Sequence, residues 1–223
     1  DLHSFPTRRS SDLVGDTNRM VGEKVRFGVK SKERGEYLIN VRAGDSTESH
    51  MEVIRGGVVE MHADIIVNAA NKSLLGGGGV DGAIHAAAGP ELLRECRTLN
   101  GCATGDAKIT GAYNLTNAKY IVHTVGPVYS GSESDALLLS SCYSNSLNLA
   151  YRNKCESIAF PCISTGVYGY PVEKAAEIAW TTVLKWLHEH DTAMHVYFCC
   201  FNDREFEVYK HLAENALESI EMS

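Results

Sequence analysis

Apolar and polar positions follow two rhythms along this chain, one of period two and one of helical period. Met51-Glu52-Val53-Ile54-Arg55 alternates and predicts a half-buried strand. Ile65-Ile66-Val67 is a short continuous apolar run, which predicts a strand buried on both faces. Polar Asn68-Ala69-Ala70-Asn71 and the glycines Gly76 to Gly79 follow, then Val80-Asp81-Gly82 and an alanine-rich stretch: a loop, and a helix entered through glycine. Pro90 with Glu91 behind it predicts the start of another helix, bearing Leu92, Leu93, Cys96 and Leu99 and stopped by Asn100-Gly101. Residues 107–110 and 119–125 read as strands. From Asp135 to Tyr151, Leu139, Tyr143, Leu147 and Ala150 recur on one helical face. Residues 157–160 predict a buried strand closed by Pro161, and Ser164 to Pro171 a second glycine-bearing loop. A helix with Val172, Ala176, Ala179, Val183 and Trp186 on one side comes next. The apolar run from His195 to Phe201 predicts the last strand, and Asp203 is expected to cap a final helix carrying Phe206, Tyr209, Ala213, Leu217 and Ile220.

Alternation of strands and helices from Asp64 onward predicts an α/β fold, with a mostly parallel sheet between two helical layers. Ligands in such sheets sit beyond the C-terminal ends of the strands, where both glycine loops fall. Glycine lets backbone approach a ligand closely, and the N–H groups at a helix start favour negative charge. The first loop therefore predicts an anionic, phosphate-bearing ligand. Gly77, Gly79 and Gly82 formally satisfy the dinucleotide pattern G-x-G-x-x-G, but glycine-rich strings produce that match easily. No Gly-Lys-Ser/Thr follows, which excludes a P-loop.

Composition narrows the class. The chain has 223 residues, 44% hydrophobic and 22% charged, enough for one globular domain with a sizeable core. No apolar run reaches the ~20 residues of a membrane span, so no membrane association and a cytoplasmic location are expected. The cysteines number seven, an odd count without C-x-x-C, which favours a reduced compartment and speaks against a zinc site. Residues 51–223 carry 12 Lys/Arg and 20 Asp/Glu. An acidic body without a basic stripe argues against nucleic acid binding, yet backbone amides can hold a small anion without lysine.

The stretch Asp64 to Gly89, DIIVNAANKSLLGGGGVDGAIHAAAG, resembles the signature of the macro domain family, in particular its MacroD-type ADP-ribose hydrolases. The second loop, Ser164-Thr165-Gly166-Val167-Tyr168-Gly169-Tyr170-Pro171, resembles the same family, as do residues 101–107 and His123-Thr124-Val125-Gly126-Pro127. The resemblance covers residues 51 to about 217. It implies a three-layer α/β/α domain that binds ADP-ribose or its esters and removes ADP-ribose from mono-ADP-ribosylated proteins, or deacetylates O-acetyl-ADP-ribose. A non-catalytic ADP-ribose reader is the alternative. It implies no cofactor and no metal, and a monomer is expected. Asp81, Asn71 and Tyr168 become the candidate catalytic residues: Asp81 to orient or deprotonate water, Asn71 to bind a ribose hydroxyl, Tyr168 to pack on the ribose. Ala70, Gly78, Gly79 and Val80 in the first loop, and Ser164, Thr165, Gly166 and Val167 in the second, become candidate ligand contacts, with Val58 and Phe201 at the adenine end. Asn68 is expected to be structural, bridging loop backbone, and His85 to be a satisfied structural histidine. A serine or cysteine hydrolase fits poorly, because Ser164 lacks G-x-S-x-G.

Two positions depart from the family pattern. Gly57 stands where relatives often place an Asp that accepts from the adenine amino group, and Ala86 stands where many have Arg. The first fifty residues also differ from the rest. Residues 4–13 resemble a translated sequencing adapter, so 1–13 is expected to be an artefact and 1–50 an extension outside a domain spanning 51–223, although residues 25–29 and 37–41 have strand character.

Overall fold

The computed structural model describes residues 14–16, 26–31, 37–43 and 47–221. Its strands are β1 (Val14–Asp16), β2 (Arg26–Ser31), β3 (Tyr37–Ala43), β4 (Thr47–Arg55), β5 (Ile65–Ala69), β6 (Ala107–Gly111), β7 (Tyr120–Thr124), β8 (Ser157–Pro161) and β9 (His195–Cys200). The helices are α1 (Gly79–Ala88), α2 (Pro90–Thr98), α3 (Glu133–Arg152), α4 (Val172–Glu189) and α5 (Asp203–Glu221). One sheet runs β1-β2-β3-β4-β9-β8-β5-β7-β6. Its central block, β4-β9-β8-β5-β7, is parallel, and antiparallel strands flank it on both sides. All five parallel strands therefore deliver their C-terminal loops to one edge.

Side-chain alternation sorts the core into two layers. Ile65, Val67 and Val122 face α3, α4 and α5, with Leu139, Tyr143, Leu147, Val183, Phe198 and Tyr209. Ile66, Ile121, Ala159 and Cys199 face α1 and α2, with Ile84, Ala88, Leu92 and Cys96. This is the α/β/α sandwich expected from the sequence, and the expected face of α3 is wholly buried.

The N-terminal boundary differs from the expectation. Met51 lies inside β4, which pairs with β3 from Tyr37↔Val53 to Ala43↔Thr47. Ile39 and Val41 are fully buried in the larger core cluster. Residues 37–43 and 47–50 thus contribute sheet and core, because without β3 the apolar edge of β4 would lie open to solvent. The adapter-like segment, residues 1–13, lies outside the described residues.

The cap of α5 also differs. Asn202 accepts the Glu205 N–H at 2.9 Å, and the Glu205 carboxylate accepts in return from the Asn202 side chain and the Phe201 N–H. Asp203 sits in the first turn, paired with Arg55 at 3.0 Å. Asn beats Asp here because its amide both donates and accepts, closing a reciprocal cap. Leu217 and Ile220 fall where side chains are not described.

Candidate functional site

The C-terminal edge of the parallel block gathers the candidate residues in a row. The turn after β4 holds Gly57 and Val58, tied to the end of β9 by Gly56 N–H to Cys200 O at 2.9 Å. Arg55 reaches the Phe201 carbonyl. The glycine loop follows β5, and the loop holding Ser164 to Tyr168 follows β8. Beside them, Gly126-Pro127 follows β7.

The first loop is held by Asn71. Its Oδ1 accepts from the Ser73 N–H and hydroxyl, and its Nδ2 donates to Gly76 O at 3.0 Å. The chain enters α1 through Gly78, whose position offers no side-chain cap, so the N–H groups of the first turn face outward. Gly78 and Gly79 are exposed and Val80 half-buried. Ala70 is buried, and its N–H goes to Thr124 O at 2.9 Å.

In the second loop, Gly169 and Tyr170 donate back to Gly166 O and Ser164 O. The N–H groups of Gly166 and Val167 have no partner among the described residues, and the Val167 side chain is fully exposed. Two sets of outward backbone donors thus stand on the same edge, a geometry suited to an anion. Ser164 and Thr165 turn their hydroxyls inward, to Pro127 O at 2.8 Å and Cys162 O at 2.9 Å, leaving only their backbone for a ligand. The loop can lie this close because residue 126 is glycine: a Cβ there would overlap Ser164 Oγ and approach Ile163 Cγ2 to 2.7 Å. Gly126→Ala is therefore expected to cost about 1–3 kcal/mol of unfolding free energy in urea titrations. An unshifted midpoint would show that the loop yields freely.

Between the loops lies a cleft of about 760 Å³, whose lining includes Asn71, Lys72, Ser73, Gly126, Asp135 and Tyr168. Two candidate catalytic residues, Asn71 and Tyr168, thus share one wall space. Asp135 is a carboxylate in this lining. The Ser130 N–H at 2.8 Å, the Ser130 hydroxyl and the Gly131 N–H at 3.0 Å all donate to it, and the backbone bond from Ser130 is the main cause holding its pKa below the usual range. It caps its loop and is a poor base.

Asp81 stands behind this wall, in the first turn of α1, and only 5% of it is exposed. It is not the cap of the helix. Its Oδ1 accepts from Asn68 Nδ2 at 2.8 Å, and His85 Nε2 lies 3.4 Å away. Its Oδ2 points to Gly77: a Cβ built at residue 77 would lie 3.0 Å from Asp81 Oδ2 and 3.4 Å from Asn71 Nδ2. Residue 77, which carries no side chain, thus lies next to both the Asp81 carboxylate and the Asn71 amide at the loop surface.

Two expectations change at this level, those for Asn68 and His85. Asn68 does not bridge loop backbone; its buried amide joins Asp81 to His123 Nδ1, at 3.1 Å. The buried Nε2 of His85 makes no hydrogen bond among the described residues, so His85 is not a satisfied structural histidine. Val58 is buried, which restricts it to backbone contacts, and Phe201 lies just beyond β9 with 72% of its surface exposed, which excludes a core role for its ring. Glu60 escaped the sequence reading, and its carboxylate lies 2.6 Å from where a Cβ of residue 57 would be. Its only sequence signal was a carboxylate three residues past the missing Asp.

The chain belongs to the macro domain family, whose model matches residues 67–179. A macro domain-containing protein of Chlorobaculum tepidum is 56% identical over 161 residues, which span 72% of this chain and 93% of that protein. ADP-ribose glycohydrolase MACROD2 of Xenopus laevis is 54% identical over 184 residues, 81% of this chain but 44% of that longer protein. Among solved structures, the Oceanobacillus iheyensis macrodomain with ADP superposes with a TM-score of 0.75 at 39% identity, covering 83% of this chain and 99% of that one. The Trypanosoma brucei macrodomain in complex with ADP-ribose gives 0.70 at 46% identity, covering 77% and 72%.

Proposed function

We propose that this protein hydrolyses the ester linking ADP-ribose to acidic side chains of mono-ADP-ribosylated proteins, and that O-acetyl-ADP-ribose fits the same site as a smaller ester. The observation that carries this reading is the Asp81 carboxylate beside the Asn71 amide at Gly77, next to a cleft flanked by two sets of outward backbone donors. The names of the relatives, an ADP-ribose glycohydrolase and a macrodomain in complex with ADP-ribose, support the ligand class. The amides of residues 78–80 and 165–167 receive the diphosphate without reorganising. Asn71 and Tyr168 flank the distal ribose. Asp81 Oδ2 accepts a proton from the attacking water. Water adds across the ester, leaving a free carboxylic acid and ADP-ribose. No step calls on a metal or a redox cofactor.

One observation favours the second reading, a module that binds ADP-ribose without turnover: Asp81 is nearly buried and does not line the cleft. The deciding experiment follows ADP-ribose release from a glutamate-linked mono-ADP-ribosylated protein by the full chain, which retains β3. Release supports the hydrolase. Binding without release makes the protein a reader.

Adenine recognition gives a separate prediction. The Glu60 carboxylate occupies the space beside Gly57, so an Asp there would meet a like charge. Gly57→Asp alone is expected to leave ADP-ribose affinity within about threefold, because repulsion from Glu60 offsets the added acceptor. Gly57→Asp with Glu60→Gln is expected to bind about ten-fold tighter, the worth of one specific hydrogen bond. Calorimetry on both variants checks this; equal affinities would show that Glu60 exerts no influence at that end.

A further inference from the structure

Beneath Asp81 lies a directed chain of hydrogen bonds made by side chains that no step above uses. The sheet alternation puts Asn68 of β5, His123 of β7 and Thr110 of β6 on the face covered by α1 and α2. Asn68 and His123 are register partners, and both are fully buried, with Thr110 2% exposed. The direction of the chain follows from its far end. Thr110 donates its hydroxyl proton to Gly111 O at 3.1 Å, so its oxygen accepts from His123 Nε2 at 2.9 Å. Nε2 then carries the ring proton, and Nδ1 is left as an acceptor. It can only receive a proton of the Asn68 amide nitrogen, whose other proton goes to Asp81 Oδ1.

The amide has no second orientation. Turned over, its oxygen would face both the Asp81 carboxylate and the lone pair of His123. The structure shows what this orientation leaves behind: Asn68 Oδ1 is buried without a hydrogen-bond partner among the described residues. A buried acceptor is left orphaned while both amide protons hold Asp81 and His123. The ring stays neutral through the ordinary pH range, because burial, and then the neighbouring His85, bring its pKa down to about 3. The groups around it are His85 on α1, Cys96 on α2 with its Sγ 3.8 Å from Nε2, Thr110 on β6 and Asn68 on β5.

We propose that His123 is a positioning residue for the hydrolysis: acting through Asn68, it holds Asp81 Oδ1 so that Oδ2 stays directed at Gly77 and the Asn71 amide. His123 touches no substrate. The inference rests on the hydrolytic reading of Asp81 given above.

The test uses the full chain and the glutamate-linked substrate. His123→Leu removes both ring nitrogens, and Thr110→Val, nearly isosteric, removes only the acceptor that fixes the tautomer. Both are expected to lower kcat, His123→Leu by about ten- to a hundredfold and Thr110→Val by less, as misplacement of a reacting group does. KM is expected to stay at the wild-type value, and so is the stoichiometry of ADP-ribose binding, which a partly unfolded sample would lower. His123→Gln, with one acceptor for Asn68 and one donor for Thr110, is expected to return kcat to within about threefold of wild type. Asp81→Asn serves as the reference. If Asp81→Asn is inactive while His123→Leu and Thr110→Val turn over normally, the positioning role is overturned and the hydrolytic reading stands. If Asp81→Asn stays active, or the wild type binds ADP-ribose without releasing it from the substrate, both fall. Failure of His123→Gln to recover activity lost in His123→Leu would also overturn the proposal, since a filler of the right polarity should suffice.

Discussion

Asp81→Asn is expected to lower ADP-ribose release by at least about a hundredfold, the usual contribution of a positioned base, with ADP-ribose affinity retained. The asparagine is the sharper substitution. Its Oδ1 can still accept from Asn68, so the loop and first turn keep their shape while the carboxylate is lost. Alanine at the same position would leave a buried Asn68 N–H without its acceptor, at a cost of about 1–3 kcal/mol, and would confuse lost chemistry with lost stability. Single-turnover release and calorimetry on Asp81→Asn separate the two. Normal turnover would remove Asp81 from the reaction, and lost binding would show that its charge shapes the anion site.

Mild acid is expected to destabilise the fold through one residue. His123 titrates near 6.5 when unfolded and near 3 when folded, because burial disfavours its charged form. The unfolded chain therefore binds a proton at a pH where the folded one does not. Stability from this group is complete above about pH 6.5 and falls as pH drops towards 3, with a slope of about 1.4 kcal/mol per unit. Between pH 6.5 and 5 the loss amounts to about 2 kcal/mol. Urea titrations of the wild type and His123→Gln over that range isolate the contribution, since the two chains are otherwise identical. Parallel curves would refute the assignment.

Most of the site was legible because its signals are local. An apolar run, an asparagine-rich turn and consecutive glycines define a strand, a loop and a helix start, and the structure holds them in that order. What escaped depends on distance in the sequence. His123 sat in an apolar strand, Ile121-Val122-His123-Thr124, and nothing local says that its register partner is Asn68, fifty-five residues earlier. A histidine and an asparagine in buried strands were the available warning, since buried polar side chains need partners. Phe201 shows the opposite limit: an aromatic at a strand end has the same local pattern whether it faces core or solvent. The strand character of residues 37–41 was visible, yet only the pairing with β4 shows that Ile39 and Val41 belong to the core.

The seam between β4 and β9 has a consequence for how the molecule is assembled. Ser49 and Met194 are joined there by a hydrogen bond although 145 residues separate them. On the ribosome, β4 emerges well before β9, its neighbour and the last of the described strands to be made. Until then β4 and β8 each present an unpaired edge, and the floor beneath Gly57 and Phe201 does not exist. Closing so long a loop slows folding, and the open edges invite association between nascent chains. Binding competence therefore arrives late and all at once, when the last strand slides between its two neighbours.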